Sequence, residues 1–318
     1  MNRRNFHLLA AACAIGSPVA AQSRPLRLVV PFPPGGATDI TARVLADPLS
    51  RLLGQTVVVD NRSGAGGSIG MAELAKAAPD GNTLGLATLS THGVNPAVYK
   101  KLPYDPIKDF APVTEIVKAP GVLVVHPSVK AGTIQDYIAL LKANPGRLTY
   151  ASAGNGTIGH MWAELFKSTT GTFMLHIPYR GAGPALNDLL AGQVQAYFDQ
   201  VASSLPHIQA GSLRALAVSW TTRLSFLPGV PTYAEAGLVA NNDPSWFGLV
   251  APAGMAPATV TRVQQAVEKA LKEPAVSDRL TAQGLFPSGT SPEEFGAQLR
   301  NEIAKMKRIS QFAKITLD

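Results

Sequence analysis

The chain has 318 residues, of which 46% are hydrophobic and only 15% are charged, with 29 glycines and 25 prolines. This composition excludes a disordered chain and a coiled coil, and the length suffices for one large or two ordinary domains with hydrophobic cores. The formal charge of +7 is spread along the chain without a basic cluster. The sequence therefore does not predict a nucleic-acid partner.

The first 21 residues have the features of a secretory signal peptide. Arg3 and Arg4 precede an Ala-rich apolar run, and small residues up to Ala21 offer a cleavage site. The paired arginines fit both the general Sec route and the twin-arginine route. No later segment approaches the roughly 20 apolar residues that a membrane span needs. We therefore expect an exported, periplasmic protein that is cleaved near Ala21.

The only cysteine, Cys13, lies in this leader. The mature chain is thus expected to have no disulfide, no thiolate metal ligand and no cysteine nucleophile. A lipid anchor at Cys13 is an alternative, but the three alanines before it are a poor approach to such a site. The histidines show no spacing typical of metal ligands, so a metal site is not expected.

Strand-like and helix-like segments alternate after the leader. The predicted strands are Leu26–Val30, Thr56–Val59, Thr83–Thr88, Val122–His126, Leu148–Ala151, Phe173–Ile177, Gln195–Phe198, Leu213–Val218 and Phe247–Ala251. The predicted helices between them are Asp39–Leu53, Ile69–Ala77, Ile134–Ala143, Gly159–Thr169, Pro184–Leu190 and Ala202–Ala210. This order predicts an α/β fold with mostly parallel sheets flanked by helices. Three further helices follow: Ala258–Lys272, Ala275–Gln283 and Pro292–Lys307.

Two apolar segments, Gly121–His126 and Trp246–Pro252, lack a neighbouring Gly-rich loop. We interpret them as the crossings of a domain inserted into another. One lobe would then comprise residues 22–122 and 248–318, and the other residues 123–247. Such an arrangement places a cleft between the lobes and a hinge at its base. Within the first helix, Pro48 predicts a kink near Asp47.

The turn between the first strand and the first helix reads PFPPGGATD at 31–39. Gly35 and Gly36 permit backbone conformations closed to other residues, and Thr38 or Asp39 can cap the helix. The free N–H groups and the positive end of the helix dipole would then favour an anion at the loop. A merely tight connection explains this loop equally well when it is taken alone.

A second loop of the same design, ASAGNGTIGH at 151–160, follows another strand and opens another helix. Ser152 and Thr157 add hydroxyls, while Gly154 exposes backbone amides. If the two lobes face each other, two helix N-termini converge on one cleft. Because neither loop carries the lysine of a phosphate-binding loop, the pair suits a small mono- or dicarboxylate better than a phosphate.

A third Gly-rich stretch, NRSGAGGSIG at 61–70, contains a G-x-S-x-G pattern with Ser68 as a candidate nucleophile. A secreted serine hydrolase is therefore an alternative hypothesis. The nucleophile elbow requires its serine directly after a strand, however, and here a loop intervenes. A structural loop is the favoured interpretation.

Three other side chains are candidates for the cleft. His92 and His160 lie on its predicted loops, although each also suits a hydrogen-bonded structural role. Asp199 follows a predicted strand, where ligands bind α/β sheets. It could receive a ligand amine or hydroxyl, or it could cap the next helix, and the sequence leaves both open.

Several motifs together resemble the Bug proteins, the TctC-type solute-binding proteins of tripartite tricarboxylate transporters. They are PFPPGGATD at 31–39, VDNRSGAGGSIG at 59–70, PDGNT at 79–83, YRGAGPA at 179–185 and DLLAGQV at 188–194. The resemblance implies a two-lobe periplasmic binding protein fold of type II, without enzymatic activity or cofactor and expected as a monomer. Its ligand would be a small carboxylate, and its partners would be membrane permease subunits or, alternatively, a membrane sensor.

Carried onto matching positions, the resemblance implies a set of ligand-binding residues on both lobes. These are Phe32, Gly35, Gly36, Ala37, Thr38 and Asp39 from the first lobe; Ser152, Gly154, Thr157 and His160 from the second, with Asp199 nearby; and Ser90 and His92 as a further wall. The chain departs from the family pattern at Ser63, where a proline is usual, and in its C-terminal tail.

Overall fold

The computed structural model describes residues 24–317, which form two sheets flanked by helices. The predicted signal peptide, its cleavage site and Cys13 lie outside the described residues. Strands are numbered in chain order: β1 Leu26–Val30, β2 Val57–Asn61, β3 Thr83–Thr88, β4 Phe110–Ala119, β5 Gly121–Val125, β6 Thr149–Ser152, β7 Leu175–Pro178, β8 Ala196–Gln200, β9 Arg214–Ser219, β10 Ser245–Pro252 and β11 Phe286–Pro287. The strand order is β11-β4-β10-β3-β1-β2 in the first sheet and β7-β6-β8-β5-β9 in the second.

Except for the short α3 (Asn95–Val98), which was not predicted, the helices of residues 24–317 lie where the periodicity predicts them, with ends shifted by a few residues. They are α1 Ala37–Leu53, α2 Ser68–Ala75, α3 Asn95–Val98, α4 Ile134–Ala143, α5 Ile158–Thr170, α6 Ala182–Leu190, α7 Val201–Gln209, α8 Pro257–Lys272, α9 Pro274–Ala282 and α10 Pro292–Phe312. A π-helical turn, Ser90–Val94, precedes α3. Pro48 lies inside α1, which continues to Leu53. None of the helices in residues 24–317 is long and apolar enough to span a membrane.

The α/β fold with two lobes is confirmed, but the sheets are mixed rather than mostly parallel. β1 is parallel to β2 and β3, and β6 is parallel to β7 and β8. By contrast, β10 is antiparallel to β3 and β4, and β5 is antiparallel to β8 and β9. β5 and β10 directly follow the two segments in which the chain passes from one sheet to the other. Each is antiparallel to the strands that it pairs with in its own sheet.

The chain passes from one sheet to the other at Pro120, between β4 and β5. It returns between Ser219 and Ser245, the end of β9 and the start of β10. The crossings expected from the sequence correspond to β5 and β10 themselves. Each of these strands lies entirely within one sheet, so the chain changes sheet just before each strand begins. A shared apolar core joins the two lobes, since Ala87 and Leu89 of the first lobe belong to the same buried cluster as Leu123 and Phe198 of the second lobe.

Candidate functional site

The loop before α1 presents backbone donors. Gly36 is the N-cap residue, with extended backbone angles and no side chain capping the helix. The first intrahelical bond runs from the N–H of Ile40 to the carbonyl of Gly36, at 3.0 Å. Within residues 24–317, the N–H groups of Ala37, Thr38 and Asp39 have no hydrogen-bond partner in the structure. They are the unsatisfied donors of a helix N-terminus.

The carboxylate of Asp39 holds this loop in place. Its Oδ2 accepts hydrogen bonds from the N–H of Gly35 at 3.0 Å and from Nε of Arg43 at 2.9 Å, while Oδ1 accepts from Nδ2 of Asn61 at 3.0 Å. That amide also donates to the carbonyl of Phe32 at 2.9 Å. Burial alone would raise the pKa of Asp39, but the hydrogen bonds from Arg43, Gly35 and Asn61 outweigh it and lower the pKa.

The loop before α5 repeats the design in the second lobe. Thr157 is the N-cap residue, and its Oγ1 donates to the carbonyl of Gly154 at 2.7 Å rather than accepting from the helix. The N–H of Ile158 donates to Oγ of Ser90 in the first lobe, at 2.9 Å. The N–H of Gly159 has no partner within the described part of the chain. Two helix N-termini therefore open towards each other.

Both N-termini open onto one cavity between the sheets, which has a volume of about 40 Å³ and is partly open to solvent. Seven of the residues expected from the sequence line it: Phe32, Gly36, Ala37, Thr38, Ser90, Thr157 and Asp199. The other lining residues were not foreseen: Pro33, Thr88, Ala153, Ile158, Gly159, Trp162, Ala182, Tyr197, Phe198, Gln200 and Phe247. The aromatic walls and the few polar groups among them are typical of a small-molecule site.

Six expected residues do not line this cavity: Gly35, Asp39, His92, Ser152, Gly154 and His160. Gly35 is exposed at the outside of the loop, with a φ of +88°, and Gly154 lines a neighbouring cavity at the mouth of the cleft. His92 is fully buried, packs on Phe110 with ring centroids 5.0 Å apart, and has its pKa lowered to about 3 by burial. Its position is that of a core residue behind the wall.

Ser152 and His160 support the second loop from behind. Oγ of Ser152 lies 2.6 Å from Nε2 of His176 and accepts the N–H of Gly154 at 3.1 Å. The N–H of Gly156 donates to Nδ1 of His160 at 3.4 Å, and the rings of His160 and His176 stack with centroids 4.3 Å apart. Burial lowers the pKa of both histidines. This cluster fixes the loop that presents the α5 amides.

Asp199 does not cap α7, because Gln200 is the N-cap residue of that helix and no side-chain hydrogen bond caps it. Asp199 lines the cavity at the end of β8, and its Oδ2 accepts hydrogen bonds from Oγ of Ser203 at 2.6 Å and of Ser204 at 2.7 Å, both in the first turns of α7. Burial raises the pKa of Asp199, although the hydrogen bonds from these serines act in the opposite direction.

The cavity wall has no lysine, arginine or histidine, so an anion there would depend on backbone dipoles. Within residues 24–317, no group of three or more His, Cys, Asp or Glu side chains is arranged to hold a metal ion. Ser68 begins α2, and its hydroxyl donates to the carbonyl of Ala65 at 2.8 Å. The strand-to-helix elbow of a serine hydrolase is therefore not formed, since a 3₁₀ turn precedes α2.

Comparison with known proteins shows extensive similarity along the chain. Residues 41–315 match the tripartite tricarboxylate transporter family receptors, TctC. Protein BugT of Bordetella pertussis is 40% identical over 299 residues, covering 93% of this chain and 92% of BugT. The structure of R. palustris Rpa4515 with adipate superposes with a TM-score of 0.90 at 37% identity, covering 92% of this chain and 98% of that one.

A second solved structure is MatC from Rhodopseudomonas palustris with bound malate. It superposes with a TM-score of 0.87 at 32% identity, covering 90% of this chain and 99% of MatC. Both similarities extend over the two sheets and the cavity between them.

Proposed function

Because the chain belongs to the family of tripartite tricarboxylate transporter receptors, we propose that it is a periplasmic receptor whose two lobes close over a small organic carboxylate. The lobes comprise the first sheet, built from residues before Pro120 and after the second crossing, and the second sheet between them. The captured anion is then delivered to the permease subunits of a tripartite transporter.

The observation that carries this proposal is that two helix N-termini, each with N–H groups that have no partner within the described residues, line one cavity. The amides of Ala37, Thr38 and Asp39 on α1 and of Gly159 on α5 supply donors for carboxylate oxygens. Backbone donors in a dry site stabilise an anion without a cationic side chain. Two related proteins have adipate and malate bound, which supports a carboxylate as the ligand class.

The rest of the wall sets the shape of the ligand. Phe32, Trp162 and Phe247 provide apolar surface for a carbon skeleton. The hydroxyls of Thr38 and Ser90 can meet its polar substituents, whereas the hydroxyl of Thr88 is bonded to Thr91. We infer that selectivity comes from this shape and from these hydroxyls, since the helix N-termini recognise the carboxylate alone.

Calorimetry on the mature protein tests the proposal. The protein is unfolded and refolded to remove endogenous solute, and then titrated with C4–C6 dicarboxylates, hydroxy acids, amino acids and aromatic acids. Binding of at least one acid, with the corresponding neutral amide failing to bind, is the expected result. Failure of every acid in a refolded protein with a native thermal transition overturns the receptor function.

A backbone variant tests the helix N-terminus itself. Ala37 is the first residue of α1, where proline is tolerated, and Gly36 already has the extended conformation required before proline. Ala37→Pro removes one N–H donor while keeping the helix, and we expect a loss of affinity of about tenfold or more. Ala37→Gly keeps the N–H group and is the matched control, with an affinity close to that of the wild type.

A further inference from the structure

Asp199 places a buried carboxylate in the same cavity as the proposed carboxylate ligand. The side chain is only 3% exposed and lines the wall together with the N-terminal residues of α1 and α5. Among the residues that line the cavity, it is the one that carries a formal charge. A bound anion would therefore share one cavity with a second negative charge, without a basic side chain between them.

Like charges that share a site do not both stay ionised, because each disfavours the charged form of the other. The elements packed around Asp199 offer no compensation. α5 contributes Ile158, Gly159 and Trp162 to the wall, and α6 contributes Ala182, all uncharged. The titratable side chain that couples to Asp199 is Tyr197 on the same strand, which burial keeps neutral by raising its pKa.

The hydrogen bonds around Asp199 suit both of its protonation states. Ser203 and Ser204 donate to Oδ2 when the carboxylate is ionised. The backbone of Gln200 and the hydroxyl of Tyr197 also hydrogen-bond to Asp199, and like the serines they lower its pKa against the effect of burial. Oγ of Ser203 also lies 3.1 Å from the carbonyl of Gln200. Its proton can turn to that carbonyl, which frees the serine oxygen to accept a hydrogen bond from a protonated Asp199. A protonated carboxyl group keeps acceptor capacity for the donors that remain once the Ser203 hydroxyl has turned away, so Asp199 can gain one proton in place.

We propose that the receptor binds its carboxylate ligand together with one proton, which is held by Asp199 in the closed state. The ligand stays an anion at the two helix N-termini, and the proton comes from the solvent as the lobes close. Burial raises the pKa of Asp199, which favours this proton on closure. The inference rests on the proposed carboxylate-binding function and adds the proton stoichiometry of binding.

The test measures affinity as a function of pH with succinate, adipate and benzoate, which carry no hydroxyl or amino donor. Between about pH 6.5 and 9 these acids are ionised, so a change in affinity reports the protein. We expect the affinity of the wild type to fall by up to about tenfold per pH unit above the pKa of Asp199. Calorimetry in buffers of different ionisation enthalpy should show proton uptake on binding of up to one proton per ligand.

Asp199→Asn keeps the shape and the neutral state of the side chain, and we expect it to bind with an affinity that is independent of pH. Asp47→Asn, an exposed substitution on α1, is the matched control and should retain the wild-type dependence. The proton-uptake measurement needs no variant, so a misfolded Asp199→Asn protein does not prevent the test.

Three outcomes overturn the inference. The first is binding by the wild type without pH dependence or proton uptake, and the second is an unchanged pH dependence in Asp199→Asn. The third is binding confined to acids with a hydroxyl or amino group, such as malate or aspartate, because Asp199 would then be an ionised acceptor of a ligand donor. A protein that binds no acid at all instead refutes the proposed function.

Discussion

The hydroxyl oxygen of Ser90 accepts a hydrogen bond from the backbone N–H of Ile158, at 2.9 Å, and so joins the two lobes at the cavity. Ser90 begins the π-helical turn after β3, and Ile158 is the first residue of α5. The bond satisfies one donor of the α5 N-terminus with an oxygen from the opposite lobe. Since Ser90 also lines the cavity, we expect its own proton to be available to a ligand, so that this bond would link closure to binding.

Removing this hydroxyl is expected to weaken ligand binding. Ser90→Ala leaves the N–H of Ile158 without a partner in a buried position, which costs about 1–3 kcal/mol in the closed state. We predict a loss of affinity of about tenfold or more, with the closed form less populated in small-angle scattering of the liganded protein. Ser212→Ala, at an exposed position, is the control. Equal affinities for Ser90→Ala and wild type would contradict a role for this bond in closure.

Gly66 lets the lobes approach each other at the mouth of the cleft. A Cβ atom there would lie 2.6 Å from the carbonyl oxygen of Asn155, which belongs to the loop of the opposite lobe. We predict that Gly66→Ala reduces affinity by about tenfold or more by opposing closure, measured by calorimetry and scattering. The variant also strains the backbone, because Gly66 has a φ of +62°.

Gly54→Ala is the control that distinguishes the effect of backbone strain from the effect of impaired closure. Gly54 has a nearly identical φ of +65°, and a Cβ atom there would meet nothing within 4 Å. Both variants should lose about 1 kcal/mol of unfolding free energy, since alanine is disfavoured in the left-handed region. Only Gly66→Ala should lose affinity. A comparable loss in Gly54→Ala would mean that instability, rather than closure, explains the result.

The elements that the sequence predicted best are those with unambiguous boundaries. β1 and β3 are apolar runs ended by turn residues, and α4 begins with a capping box at Thr133; all three have the predicted bounds. β4 was missed because Pro112 and Glu115 interrupt its apolar pattern. Glu115 is nevertheless buried in the structure and is bonded by Gln298 from α10, a partner that is distant in the sequence.

Some parts of the candidate site could likewise be predicted from the sequence, and others could not. Loop composition indicated Gly36 and Thr157, and the family resemblance added Ala37; all three line the cavity, because a Gly-rich turn before a helix has few alternative geometries. Loop composition does not show towards which side of a loop a side chain points. For this reason His92 and His160 were expected on the cavity wall, whereas they lie behind it. The aromatic residues of the cavity wall were not predicted, since an aromatic residue in a predicted strand or helix is usually part of the hydrophobic core.

Asp39 is expected to stabilise the protein by holding the loop between β1 and α1 in place. Asp39→Asn removes the ion pair with Arg43 and one acceptor of the loop, and we predict a loss of about 1–2 kcal/mol in the free energy of unfolding at neutral pH. Because hydrogen bonds lower the pKa of Asp39 in the folded state, its contribution is complete above the unfolded pKa of about 3.9 and is lost as the pH falls through the folded pKa.

Urea unfolding at neutral pH and near the unfolded pKa tests this prediction. The difference between wild type and Asp39→Asn should shrink as the pH falls. Asp47→Asn, exposed on the same helix, should match the wild type at both pH values. A difference that does not change with pH would show that the ionised carboxylate is not what holds the loop.

His176 is expected to make the second loop sensitive to acid. Its Nε2 lies 2.6 Å from Oγ of Ser152, and its ring is stacked between those of His160 and Tyr150. Burial, followed by the nearby charges of His160 and Lys167, lowers the pKa of His176 to about 3. The unfolded chain has a histidine pKa of about 6.5 and therefore binds more protons than the folded protein over the interval between these values.

Stability that depends on neutral His176 is therefore fully present above about pH 6.5 and is lost as the pH falls towards the folded pKa, by up to about 1.4 kcal/mol per pH unit. His176→Gln removes this titration while keeping a polar group opposite Ser152, so the decline of the melting temperature with acid should become shallower. His92 and His160 still titrate in that variant, and some decline remains. His207→Gln on α7 is the matched control and should keep the wild-type decline; if His176→Gln also keeps it, the stacked pair does not set the acid limit of the loop.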